Sequence, residues 1–204
     1  MVIHPTRMNL ILHKEKLRSI TNSIAILRAR RKALIREFIN TTMPFLRTRD
    51  EIKGLYGQAI DELALSVGHE GKSFIGSITH VMERDLKAEV VEKNLWGLRY
   101  KDIIFNEGTV REPDQRGYDF IPTTTHLEEG IYLFERVVES MLLIASYESK
   151  MKRLGEEIIS LTRKIKVLEE RVLPDLKNGI KTISDYISER ERESHFRLKR
   201  FKAL

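Results

Sequence analysis

The segment from Gly68 through His69, Glu70 and Gly71 to Lys72 and Ser73 carries a Gly-Lys-Ser triplet, the kind that closes a phosphate-cradling loop. That chemistry needs backbone N–H groups turned toward the phosphates, a glycine five residues before the second one, and a strand leading in. The required glycine position is Ser66, and the run before it has helical spacing. The segment is read as loop without a nucleotide role. Metal chemistry fares no better. The six histidines (His4, His13, His69, His80, His126 and His195) form no His-x-x-x-His pair, and the chain has no Cys. Thiolate zinc sites, cysteine nucleophiles and disulfides are therefore excluded. The doublets Glu128–Glu129 and Glu156–Glu157 are read as helix-surface or capping acids and not as an acid/base pair. The expectation is a chain with no catalytic residues, no cofactor and no metal.

The remaining candidates are cations. Arg28, Arg30, Arg31, Lys32 and Arg36 form one basic run, and Arg197, Lys199, Arg200 and Lys202 form another. The formal net charge is +6, but it is unevenly spread. Residues 1–53 hold 12 basic and 4 acidic side chains; residues 54–149 hold 9 and 17; residues 150–204 hold 15 and 9. Two basic ends thus flank an acidic middle. The acidic middle, and a lack of aromatics interleaved with the basic residues, argue against nucleic acid as the partner. An acidic protein surface fits better. There is no apolar run long enough to span a bilayer and no signal-peptide h-region, so a soluble, intracellular protein is expected.

Long helices must position these cations. From Leu10, alternating steps of three and four reach His13, Leu17, Ile20, Ile24, Leu27, Arg31, Leu34 and Phe38, an a/d seam over four heptads. Thr6 is the expected N-cap. Pro44 is expected to kink or end the helix, and helical spacing resumes from Arg49 to Val67. A second helix is expected from a capping box at Thr125 and Glu128. Its stripe runs through Ile131, Phe134, Val138, Met141 and Ala145. It continues through Leu154, Ile158, Leu161, Ile165, Leu168, Val172, Leu176, Ile180, Ile183 and Ile187. A stutter between Val172 and Ile180, with Pro174 inside it, predicts a bend.

The fold class expected is mainly α: a long antiparallel two-helix coiled coil from the two ends of the chain, with a small middle region. An intermolecular parallel coiled coil is the alternative. The expected division is 1–67, an N-terminal coiled-coil helix bent near Pro44; 68–124, a short helix, a β-hairpin over about 88–105 and a loop; and 125–204, the C-terminal coiled-coil helix. β-formers before and after Gly97 suggest the hairpin. Trp96 at its tip is either an exposed partner anchor or a covered core aromatic.

Taken in order, Pro5-Thr6-Arg7 and the run Leu27–Phe38 resemble the N-terminal signature of the D subunit of the V-type/archaeal-type (A-type) rotary ATPase, or ATP synthase. Leu168-Glu169, Pro174, Leu176, Ile180, Lys181, Ile183, Glu189–Glu193 and Phe196–Lys199 resemble its C-terminal signature. Val90–Asn94 and Gly117-Tyr118 resemble its middle. Ser23, Ile24, Lys32 and Gly179 depart from the family pattern. The resemblance implies a non-catalytic central-stalk rotor subunit at the cytoplasmic face of the membrane. Its expected partners are the catalytic and regulatory subunits of a hexamer, the F subunit of the stalk and the C subunit that adapts the stalk to the membrane ring. It would have no nucleic-acid partner and only an indirect tie to the membrane. Arg7, Arg197, Lys199, Arg200 and Lys202 are the candidate contacts to the hexamer bore. Val90, Val91, Lys93, Leu95 and Trp96 are the candidate stalk or regulatory contacts. A basic coiled-coil scaffold or nucleic-acid-binding protein is the alternative.

Overall fold

A computed structural model of the chain describes residues 5–105, 108–119 and 121–202. Helix α1 spans Arg7–Glu70. Thr6 caps it as expected: its hydroxyl accepts the Asn9 N–H at 3.2 Å and its carbonyl accepts that of Leu10 at 3.0 Å. Pro44 does not end the helix but lies inside it. The proline ring removes one amide donor. Just before it, the Thr41 and Thr42 hydroxyls turn back onto the carbonyls of Glu37 and Phe38, at 2.9 and 2.7 Å. One lost backbone bond is a small cost beside the burial of residues on both sides, Leu34 and Ala59 among them.

Gly71, at φ +84°, interrupts the helix, and helix α2 follows over Lys72–Val81. Strands β1 (Ala88–Leu95) and β2 (Leu98–Phe105) form an antiparallel hairpin in which Leu95 pairs with Leu98 and Ala88 with Phe105. A 3-10 turn covers Pro113–Gln115. Much of the expected loop at 106–124 is seen, but Asn106, Glu107 and Phe120 lie outside the described residues. Helix α3 spans Thr125–Val167, a π-helical turn covers Leu168–Val172, and helix α4 runs over Leu173–Lys202. The π turn lies directly before Pro174, in the stretch where the stutter predicts a bend. A π turn adds one residue to the local repeat; the two steps of four themselves follow it, in α4.

The chain divides into two compact units. In the unit made of residues up to Ile35 and from Glu156 onward, the start of α1 runs antiparallel to the distal helical stretch. Ion pairs Arg7–Glu191 (2.5 Å), Arg28–Glu169 (2.8 Å) and Arg30–Glu157 (3.2 Å) set the direction. Ile24, Leu34, Leu161, Ile165 and Ile183 form the buried core. None of the nine seam positions from Leu10 to Phe38 is exposed.

In the unit Arg36–Gly155, the rest of α1 is antiparallel to α3, with Glu37 bonded to Lys150 and Glu62 to His126, each at 2.6 Å. Tyr56 meets Phe134 edge to face at 6.3 Å. The stripe expected early in α3 holds at the half-buried Ile131 and Phe134 and is displaced after them. Val138, Met141 and Ala145 are exposed, and Leu127, Leu133 and Val137 are buried instead. This stretch of α3 contacts α1, the hairpin and the loop before it, so apolar residues occur on several faces and periodicity alone does not select one.

Candidate partner surfaces

The basic residues at the C-terminal end lie on the last turns of α4, and all are exposed. Glu191 sits beside Arg7 near the start of α1, so α4 continues for about three further turns past that point. Arg197, Lys199, Arg200 and Lys202 share this stretch, with Glu193 drawn to Arg197 at 3.7 Å. Cations in the last turn complement the helix dipole, while like charges three or four residues apart repel by a few tenths of a kcal/mol per pair. Sequence reasoning missed the apolar part of the surface. Phe196 is 68% exposed and Phe201 80%, and Leu198 is exposed as well. The expectation that no aromatics interleave with the basic residues is therefore wrong: two phenylalanines lie among them. The available signal was position, since both follow Ile187, the last seam residue, where a buried role was no longer on offer. On α1, Met8 and Ile11 are also exposed.

The hairpin supplies the second candidate surface. Trp96 and Gly97 have φ of +51° and +84° and form the two-residue turn. Two positive φ values in succession match the twist of paired strands, and Asn94 Oδ1 accepts the Gly97 N–H at 2.8 Å. Trp96 is 57% exposed, so of the two alternatives it is the uncovered one. Val90 and Val91 are exposed too, and Leu95 is half-buried. Lys93 forms an ion pair with Asp102. Burial pushes the Asp102 carboxyl upward, but bonds from Lys93, Ser146 and the Ile103 amide together hold it below its usual 3.8. The bond to Asp102 raises Lys93 in turn. The Ile103 N–H donates to Ser146 Oγ on α3 at 3.0 Å, which fixes the hairpin to the helix.

A third cluster holds the segment before α3. Arg116 is only 3% exposed and bonds the Glu128 carboxylate. Glu128 also accepts from Tyr118 Oη at 2.7 Å and Thr123 Oγ1 at 2.9 Å. Burial and the Glu128 anion together push the Tyr118 hydroxyl up to about 12. The expected capping box at Thr125 and Glu128 is therefore incorrect. The cap is Thr124, whose hydroxyl and carbonyl accept the Leu127 N–H, and Glu128 is turned to the loop. A nearby basic partner outcompeted the backbone amide for that carboxylate.

The stretch Gly68–Ser73 is the end of α1, the break at Gly71 and the start of α2, not a loop. His69 and His126, distant in sequence, stack at 6.1 Å, with Glu62 beside His126. Among the described residues no group of three His, Cys, Asp or Glu is arranged to hold a metal ion. No helix among them is long and apolar enough to cross a membrane.

The family model for the ATP synthase D subunit matches residues 9–203. The chain is 34% identical to the D subunit of the A-type ATP synthase of Pyrococcus furiosus, over 99% of this chain and 94% of that one. It is 30% identical to the A-type D subunit of Methanococcoides burtonii, over 98% and 97%. The D subunit of the V-type ATP synthase of Thermus thermophilus is 28% identical, over 98% of this chain and 87% of that one. With antiparallel long helices, a central hairpin and a match along nearly its whole length, the chain belongs to the family of ATP synthase D subunits.

Proposed function

We propose that this chain is the non-catalytic central-stalk subunit of a V/A-type rotary ATPase, transmitting torque between a membrane ion-translocating ring and a catalytic hexamer. Its partners in this reading are the catalytic and regulatory subunits of the hexamer, the F subunit of the stalk and the C subunit that adapts the stalk to the membrane ring. It meets the membrane only through them, at the cytoplasmic face, and it binds neither nucleic acid nor a cofactor. The ATP chemistry belongs to other chains.

The observation that carries this reading is the end of α4. There Arg197, Lys199, Arg200 and Lys202 share exposed helical turns with Phe196, Leu198 and Phe201. An apolar surface interleaved with same-sign charge is costly in water and fits a socket that is apolar and acidic. Arg7, near the start of α1, adds to the same surface. The hairpin residues Val90, Val91, Lys93, Leu95 and Trp96 form the second contact, toward the F subunit or a regulatory partner.

Reversing Arg197, Lys199, Arg200 and Lys202 to Glu together tests the first contact. The expected result is a complex that fails to assemble or hydrolyses ATP without coupling to ion movement. Normal assembly with a normal, coupled ATPase rate overturns it. Deleting residues 88–104 tests the second; unchanged binding of the F subunit and an unchanged ATPase rate overturn that one.

A further inference from the structure

In a two-residue antiparallel hairpin the residues flanking the turn form a hydrogen-bonded pair, and such pairs then recur at every second position. Leu95 and Leu98 flank the turn, so Lys93, Val91 and Glu89 bond toward β2. Asn94, Glu92, Val90 and Ala88 direct their N–H and C=O groups away from it. The same alternation on β2 turns Ile103 outward, and its N–H does donate to Ser146 on α3. The outer edge of β2 is thus occupied by a helix. The outer edge of β1 is not: among the described residues the sheet has two strands, and all of β1 except Leu95 is exposed.

Open edges are normally blunted by proline, a bulge, an outward lysine or a cover. Among the described residues no proline, bulge or cover acts here, and the free charge on the edge is that of two glutamates, Glu89 and Glu92. The register is continuous over eight pairs, β1 contains no proline, and its one lysine is engaged by Asp102. On each face the edge shows one valine near one glutamate. Val91 and Glu89 lie on one face, Val90 and Glu92 on the other.

We propose that the outer edge of β1 accepts an extended segment of another subunit of the complex as a third strand. That segment carries, on each of its faces, an apolar side chain opposite a valine and a basic one opposite a glutamate. The proposal rests on the stalk reading above and names the mode of contact at the hairpin.

Residue-resolved hydrogen exchange on the isolated chain and on the intact ATPase complex tests it. The Val90 and Glu92 amides are expected to exchange freely in the isolated chain and at least about tenfold more slowly in the complex, as amides newly placed in a ladder do. Val90→Pro and Glu92→Pro remove only outward donors, so each is expected to keep the hairpin and weaken the contact. Val91→Pro removes a donor to β2 and is expected to lose the hairpin itself. Equal exchange of the Val90 and Glu92 amides in both samples overturns the proposal. So does protection already present in the isolated chain that grows with its concentration, because the occupant is then a second copy. If the chain is not recovered with the ATPase at all, the stalk reading fails first. If it is recovered with the edge unprotected, only the strand addition fails.

Discussion

Glu70, the last residue of α1, accepts the backbone N–H of Thr124, the capping residue of α3, at 2.6 Å. A carboxylate is badly placed at the C-terminus of its own helix and well placed at the N-terminus of another. The bond ties the end of α1 to the start of α3 across more than fifty intervening residues.

Glu70→Ala is expected to cost about 1–2 kcal/mol, because it leaves the Thr124 amide without its acceptor. Glu70→Gln keeps an acceptor oxygen and is expected to cost less. Thermal melts of the three proteins, compared at one pH, check the order.

Glu128→Ala leaves the Arg116 guanidinium buried without its counter-charge, and a loss of about 3–5 kcal/mol is expected. Replacing Arg116 by Met in the same chain removes the stranded charge and is expected to recover a large part of that loss. A double-mutant cycle by denaturant unfolding measures the coupling. Equal effects with and without Arg116 contradict it.

Tyr118 is the basis of an alkaline prediction. Its hydroxyl is raised from 10 to about 12 in the folded chain. A raised value stabilises the fold fully below pH 10, and the contribution is lost as pH climbs through 12. Tyrosinate absorbance is therefore expected to show a late component in the folded protein that Tyr118→Phe removes. The same variant is expected to flatten the fall in stability between pH 10 and 12.

The hairpin gives the acid counterpart. Asp102 is held below 3.8, so its contribution is present above that value and disappears as pH falls through the lower, folded one. Hairpin amides are expected to lose exchange protection over that acidic range. Asp102→Asn is expected to start with weaker protection and to show little further loss there.

The helices were legible because their signals are local and repetitive. Thr6, the seam from Leu10 to Phe38 and the stripe from Leu154 to Ile187 are each defined by near neighbours in the chain. The hairpin was legible for the same reason. What escaped depended on residues far apart in sequence. Glu128 looks like half of a capping box because a capping box is a local pattern, while Arg116 and Tyr118 reach it only through the path of the loop. Val138 and Met141 continue a correct period on the wrong face, because an early α3 with several neighbours has no single apolar side. Pro44 weighs less than its local penalty suggests, since burial on either side of it outweighs one missing donor. Of the candidate surfaces, the charges could be read directly. Phe196 and Phe201 escape notice because a phenylalanine on a helix is ordinarily a core residue; their place beyond Ile187 is the one hint in the sequence, and Arg7 beside Glu191 shows that no core is left for them.

The last turns of α4 also carry a thermodynamic consequence. Beyond Glu191 the helix is held by its own backbone bonds and a few surface ion pairs among the described residues, and stretches of that length are near the helix–coil balance point when alone in water. Part of any grip on Phe196 and Phe201 is therefore spent on keeping the segment wound. Substitutions there that change only helix propensity, touching no contact, should shift affinity as surely as those that remove a side chain.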